Sequence, residues 1–330
     1  MGETKITYKK TDCNLYFHGF LATFQVLVDQ QLQRRFYGDY LHNAMATTMR
    51  KIVACPEADT NAESKCTQCP DSLDCPFTSL FGYDGTNRPR PLFPLIEMDK
   101  DQWHCGESVD VGLILVGRAG QYVSHLRKAL ENLHKSPRDN PCSYLRLAHF
   151  EPLSLSGNIS TKEAQGNMTF NEAWYSFSEI EQMVSLFLKY NPVKRIGIQF
   201  STPTRIQVFD ENRNRSFLYN APSFEVLINS INKRLENLTS YYPDTKLPTV
   251  SDLLLKKASG VKLVKDDTSL YRFHKYSKHK SRHQGFSGII GEAVYQGDID
   301  EFLPALTLGE WLLIGKNTSY GMGRYKIRIL

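Results

Sequence analysis

The alternation of two hydrophobic periods along this 330-residue chain limits its fold more than any other feature. Leu15 to Val28 (LYFHGFLATFQVLV) is rich in aromatic and β-branched residues and predicts a long strand. A helix is expected from about Tyr40 to Val53, with Asp39 as its cap. Leu41, Met45, Thr48 and Ile52 then form one buried face at i, i+4, i+7 and i+11. A Pro-rich, cysteine-bearing insertion follows, Cys55 to Cys75. Pro91 to Met98 and Val109 to Gly117 read as strands, the second buried on both faces. Gln121 to His134 predicts a helix stopped at Ser136-Pro137, and Tyr144 to Leu153 a further strand.

The second half starts over. Phe177 to Tyr190 is helical in pattern, and Arg195 to Val208 is a strand with an expected break at Pro203. Ser223 to Leu238 is an amphipathic helix with Ser223 as cap. Gly285 to Tyr295 reads as a glycine-interrupted strand, Phe302 to Leu313 as an apolar helix, and Tyr325 to Leu330 as a last strand. Strand, helix, strand, strand, helix, strand is the βαββαβ, ferredoxin-like order. The expected fold is α+β: two tandem ferredoxin-like (RRM-like) domains, 1–150 with the cysteine insertion 55–75 and 151–330 with a glycine-rich loop. No sequence repeat relates the halves; the duplication rests on element order.

Charge is distributed unevenly. The chain has 40 Lys+Arg against 35 Asp+Glu, a net charge of +5. Tyr271 to His283 (YRFHKYSKHKSRH) holds Arg272, Lys275, Lys278, Lys280 and Arg282, with His274 among three histidines and no acid. Outside it basic and acidic side chains balance. A basic stripe with interleaved aromatics favours a nucleic-acid partner; the alternative is a solvated loop. With 41% hydrophobic and 23% charged residues the chain is an ordered globular protein. The longest strongly apolar stretch, Val111 to Val116, is too short to span a membrane, and MGETKITYKK has no apolar signal core. Seven cysteines without a signal fit a reducing cytoplasm, the expected location.

Three constellations carry chemistry. Gly315-Lys-Asn-Thr-Ser-Tyr-Gly-Met-Gly323, followed by Arg324, suits a backbone nest for anions. Lys316 and Arg324 supply charge there, Ser319 and Tyr320 hydrogen-bond donors, and Gly315, Gly321 and Gly323 the backbone freedom. The lysine follows the first glycine, so this is not a P-loop; a plain helix-to-strand connection is the alternative. Cys66-x-x-Cys69, flanked by Cys55 and Cys75, could hold a structural Zn²⁺ tetrahedrally, with thiols that bind no metal as the alternative. His42 is expected in the first turn of the first helix, where the helix end disfavours imidazolium and offers N–H groups to phosphate. Tyr37 and Arg35 lie just before it as donors to a developing phosphorane charge. The alternative for His42 is a half-buried packing residue. No serine-hydrolase elbow, dinucleotide fingerprint, HExxH or paired-carboxylate signature is present.

Four C-terminal pieces resemble the CRISPR-associated repeat-RNA processing endoribonucleases of the RAMP superfamily. These are the G-F-x-G…G strand at Gly285 to Gly297, Leu-Gly-Glu at Leu308 to Glu310, the glycine loop, and Phe200-Ser-Thr-Pro-Thr204, similar to the family's F-x-T-P segment. His42 followed by C…CxxC…CPF…LF (Cys55 to Phe81) is similar to a cysteine-bearing subgroup. The resemblance implies two ferredoxin-like domains that bind CRISPR repeat RNA (precursor crRNA). It also implies cleavage without metal, by 2′-OH attack, to 2′,3′-cyclic phosphate and 5′-OH ends. In that family a histidine on or before the first helix often does acid–base work, and His42 occupies that place. The implied catalytic set is His42, Tyr37, Arg35 and Lys316, with no catalytic cofactor. Implied partners are the repeat RNA and subunits of a CRISPR effector complex, for a monomer or dimer without membrane attachment. A non-catalytic RNA-binding RAMP subunit is the competing reading.

Overall fold

The structure is a computed structural model that describes residues 16–31, 37–55, 66, 69–72, 74–81, 89–97, 100–153, 174–210, 215–218, 222–241, 250–277 and 282–330. The first unit runs β1 (Tyr16–Val26), α1 (Tyr37–Ile52), a short α2 (Pro76–Phe81), β2 (Leu92–Leu95), β3 (Ser108–Val116), α3 (Val123–Glu131) and β4 (Leu145–Pro152). Its strands are antiparallel in the order β2-β3-β1-β4, as the βαββαβ order predicts. β5 (Trp174–Ser176) also pairs with β1, at Tyr16–His18, so the first sheet takes in residues beyond 150.

The second unit opens with α4 (Phe177–Leu188), started by a capping box between Ser176 and Glu179. It continues with β6 (Arg195–Thr204), a hairpin of β7 (Gln207–Asp210) and β8 (Arg215–Leu218), α5 (Phe224–Tyr241) and α6 (Asp252–Ala258). Then come β9 (Lys262–Tyr271), β10 (His274–Ser277), β11 (Arg282–Gly285), β12 (Gly288–Gln296), α7 (Leu303–Leu312) and β13 (Tyr325–Ile329). Its main sheet has the order β9-β12-β6-β13, the same arrangement as the first.

Period-2 alternation assigns the faces of the first sheet. Phe20, Ala22, Phe24 and Val26 of β1 pack with Leu41, Met45 and Met49 of α1 and Leu126 and Leu130 of α3. Phe17, Ile114, Val116 and Phe93 point the other way and join the core of the second unit, around Ile198, Phe200, Phe224, Ile231 and Leu306. The junction between the units is therefore apolar and continuous. Each large side chain fully buried there contributes roughly 1.5–3 kcal/mol.

Several expectations need correcting. α1 starts at Tyr37, so Asp39 lies inside its first turn and His42 in its second. Pro203 does not break its strand. It sits within β6 opposite the stretch where the register with β12 shifts, between Ile289 and Gly291, and an irregular ladder tolerates a residue without N–H. The strand expected over Gly285 to Tyr295 is β12, which starts at Gly288 and enters the main sheet; Gly285 instead ends β11, which pairs with β10 over the basic stripe. β9 had no strand signal, because KLVKDDTSLY lacks an apolar alternation; it is an edge strand, mostly exposed. Among the described residues no helix is long and apolar enough to cross a membrane.

Candidate nucleic-acid interface and histidine site

Gly38 and His42 are four residues apart, so they share one face of α1. That face meets the glycine-rich loop. A Cβ on Gly38 would stand 1.8 Å from the Tyr320 carbonyl oxygen, so only glycine permits this approach. His42 is 3% exposed, with its ring edge-on to Tyr320 at 4.9 Å and to Phe81 at 5.3 Å. Arg90 Nη1 lies 2.7 Å from His42 Nε2. A guanidinium has no acceptor, so Arg90 donates and Nε2 accepts. Tyr37 is not brought to this group. Five residues along a helix turn it about 140° away from His42. It is 6% exposed and meets Trp103 edge-on at 4.8 Å, within the first core. Arg35 lies outside the described residues.

The loop from Gly315 to Gly323 is built on left-handed backbone. φ is +76° at Gly315, +66° at Asn317, +72° at Gly321 and +88° at Gly323. At Gly323 a Cβ would stand 1.9 Å from the Ile314 carbonyl oxygen, and at Gly315 2.5 Å from that of Arg205. Thr202, from the Phe200–Thr204 segment, pins the loop. Its hydroxyl accepts from the Arg324 N–H at 2.9 Å and donates to the Gly321 carbonyl at 2.9 Å. Two motifs more than 100 residues apart are thus one structural unit.

Arg324 does not line the cleft beside this loop. Its guanidinium donates to the Ile96 carbonyl at 3.0 Å and pairs with Glu97 at 3.1 Å, where Lys326 also binds at 2.9 Å. It ties the second unit to the first. Gly321 and Gly323 likewise shape the loop and are absent from the cleft wall. The cleft itself, about 690 Å³, is lined by Gly315, Lys316 and Ser319 of the loop and by Arg90, Arg205, Lys233 and Arg234. Its lining holds five cationic side chains and no carboxylate. Arg234 is the least exposed of these: its Nε donates to the Leu312 carbonyl at 3.0 Å and its guanidinium sits over the Phe93 ring. Such a field draws phosphate.

Sequence reasoning found Lys316, Ser319 and Gly315 but missed Arg90, Arg205, Lys233 and Arg234. Arg205 directly follows the Phe200–Thr204 segment, and Lys233 and Arg234 lie on an amphipathic helix, so these had a faint signal. Arg90, between Pro89 and Pro91, had none.

The basic stripe forms the β10–β11 hairpin. His274, Lys275 and Arg282 occupy its strands, Arg272 is exposed just before it, and Lys278 and Lys280 lie outside the described residues. A small aromatic core anchors the hairpin's base: Phe273, Phe286 and Met322, with Tyr271 and Tyr320 against them. Tyr320 therefore touches both this base, at 5.4 Å from Phe286, and His42.

Cys55 ends the α1 segment and Cys75 precedes α2. All four insertion cysteines are half-buried thiols. Burial raises the Cys66 thiol above its usual range. Arg50 and a bond with Thr78 oppose that, while the nearby Cys55 and Cys75 thiols add to it. Among the described residues no group of three or more His, Cys, Asp and Glu is arranged to hold a metal ion.

Residues 198–325 match the family described as the CRISPR-associated endoribonuclease Cas6. That match takes in less than half of the chain. It covers β6 through the start of β13, the unit that owns the glycine loop and the basic hairpin. A second family, described as an N-terminal domain, matches residues 15–151. No curated protein matches the chain in sequence. Among solved structures, a partial Cas6-RT-Cas1–Cas2 complex is similar over 96% of this chain, with TM-score 0.60 and 13% identity. The match takes in 47% of that longer chain, so this chain spans about half its length. A Cas6 product complex is similar over 94% of this chain and 100% of its own, with TM-score 0.54 and 14% identity. Thermus thermophilus Cas6 is similar over 95% and 99%, with TM-score 0.52 and 14% identity. At such identities these likenesses establish the fold alone: a double ferredoxin-like, α+β architecture.

Proposed function

We propose that this chain is an endoribonuclease that binds CRISPR repeat RNA and cleaves precursor crRNA without metal. The observation that carries the reading is that Arg90 links His42 to a cation-lined cleft beside the glycine loop, in a chain whose residues 198–325 match the Cas6 family. The cleft follows the RNA backbone, and the β10–β11 hairpin supplies a second basic contact outside it. At the scissile step the 2′-hydroxyl proton passes to His42, the O2′–P bond forms and the P–O5′ bond breaks. The leaving O5′ takes a proton from the imidazolium or from water, leaving a 2′,3′-cyclic phosphate and a 5′-OH. Arg90 and Lys316 offset the negative charge of the phosphorane. Tyr37, buried against Trp103, has no part in this scheme; Arg324 holds the units together.

Incubating the protein with repeat RNA in EDTA tests the reading. Product ends carrying cyclic phosphate and 5′-OH are expected; retained binding with no cleavage would sink it. That outcome would favour the competing reading, an RNA-binding RAMP subunit of an effector complex, which the 3% exposure of His42 supports. A structural zinc on Cys55, Cys66, Cys69 and Cys75 is a separable proposal that rests on the Cys66-x-x-Cys69 spacing and its two flanking cysteines. About one zinc per chain by elemental analysis is the expected result; a trace content rejects it.

A further inference from the structure

Arg90 belongs to two environments at once. Its guanidinium donates to His42 Nε2 at 2.7 Å, and the same side chain forms part of the cleft wall with Arg205, Lys233 and Lys316. In this arrangement Nε2 already holds a hydrogen bond, and a nitrogen lone pair that accepts from Arg90 cannot also take a hydroxyl proton. The ring is shut in as well, with Tyr320 and Phe81 against it and 3% exposure. His42 is therefore closed as a base in the RNA-free chain, and the group that closes it is part of the cationic cleft wall.

We propose that Arg90 gates His42: a phosphodiester in the cleft draws its guanidinium off His42 Nε2 and onto a non-bridging oxygen of the scissile phosphate, which opens His42 to the 2′-hydroxyl. This rests on the endoribonuclease reading and adds an order of events to it. The exchange is favourable because on phosphate the guanidinium meets an opposite charge, whereas Nε2 of a neutral ring offers it only a dipole. The guanidinium fork also fits two phosphate oxygens at once, which a neutral imidazole cannot offer. No co-reactant is needed. One hydrogen bond moves from nitrogen to oxygen, the 2′-hydroxyl proton goes to the vacated Nε2, and the bonds at phosphorus change as described above. The exchange also makes cleavage depend on cleft occupancy, so His42 stays inert toward solvent until RNA is seated.

The test uses the full chain and repeat RNA in two forms, natural and with a 2′-deoxy ribose at the scissile position. By ¹⁵N NMR of the histidines, the deoxy RNA is expected to shift the His42 Nε2 signal to the position it has in RNA-free Arg90→Ala. In single-turnover cleavage, Arg90→Ala and Arg90→Gln are expected to lose about 10²-fold in rate, with affinity falling only a few-fold. Arg90→Lys is expected to recover part of that loss, since it keeps the charge and not the fork. Having both Ala and Gln variants, each checked by circular dichroism, separates a lost role from a lost fold. Wild-type cleavage rates in a folded Arg90→Gln, or an Nε2 signal unmoved by deoxy RNA, would overturn the proposal. A wild-type chain that binds RNA and shifts Nε2, yet never cleaves natural RNA, would overturn the endoribonuclease reading and support the change of Arg90 partner.

Discussion

His18 and His42 are equally buried, each 3% exposed, and lie in two differently built regions. His18 is on β1. Its ring stacks on Phe20 at 6.1 Å and presses so closely on Gly120 that a Cβ there would stand 2.0 Å from Nε2. Burial lowers its pKa to about 4, so it is neutral at pH 7. His42 is on α1, where its neighbours are an arginine from the cleft wall and a tyrosine from the glycine loop. Depth of burial therefore does not separate the two rings. Connection to a cationic cleft does, and under the proposed function it is that connection which would let a substrate change the hydrogen bonding of His42.

The comparison breaks most directly at the two rings. His42→Ala is expected to lower single-turnover cleavage about 10²- to 10⁴-fold with RNA affinity retained, whereas His18→Leu leaves the rate of folded protein unchanged. Equal losses from both would end the distinction. Next comes the contact that seats α1 on the loop. Gly38→Ala drives a Cβ toward the Tyr320 carbonyl and is expected to cost on the order of 1–3 kcal/mol, read from urea unfolding. No loss would mean the loop moves easily, and that the cage around His42 is slack.

A pH series sharpens the His18 side. Its folded pKa, about 4, is below the unfolded value of 6.5, so its stabilising contribution is complete above that value. The contribution is lost as pH falls from about 6.5 toward 4. Roughly 2 kcal/mol should disappear between pH 7 and pH 5, and His18→Leu should remove that part of the slope. An unaltered slope in the variant would assign the pH dependence to other groups. The smallest effect concerns the two basic surfaces. Removing Lys233 and Lys316 together should reduce the salt slope of RNA binding by about 1–2. Replacing Lys275, Lys278, Lys280 and Arg282 by Ala should reduce it further. An unchanged slope would remove the corresponding surface from the RNA path.

Much of the architecture was legible in the chain. The βαββαβ order appeared twice, the core face of α1 was read correctly at Leu41, Met45 and Thr48, and the Ser223 hydroxyl does accept from the Val226 N–H. Errors came where local rules compete. Asp39 is a good cap by residue type, yet the helix begins two residues earlier, and that moved His42 from an exposed end to a buried second turn. β9 was missed because an edge strand exposed on both faces needs no alternation.

Hydrophobic period and glycine placement, both local properties, pointed from the sequence alone to two tandem ferredoxin-like units with a glycine-rich loop before the last strand. The His42 environment was decided only in three dimensions. Arg90 is 48 residues away and joined to His42 by no period or spacing, and Tyr320 reaches it from the other unit. Side-chain pairing across a junction depends on where two cores pack together, and Phe17, Ile114 and Val116, buried against the second unit, bring that junction into being.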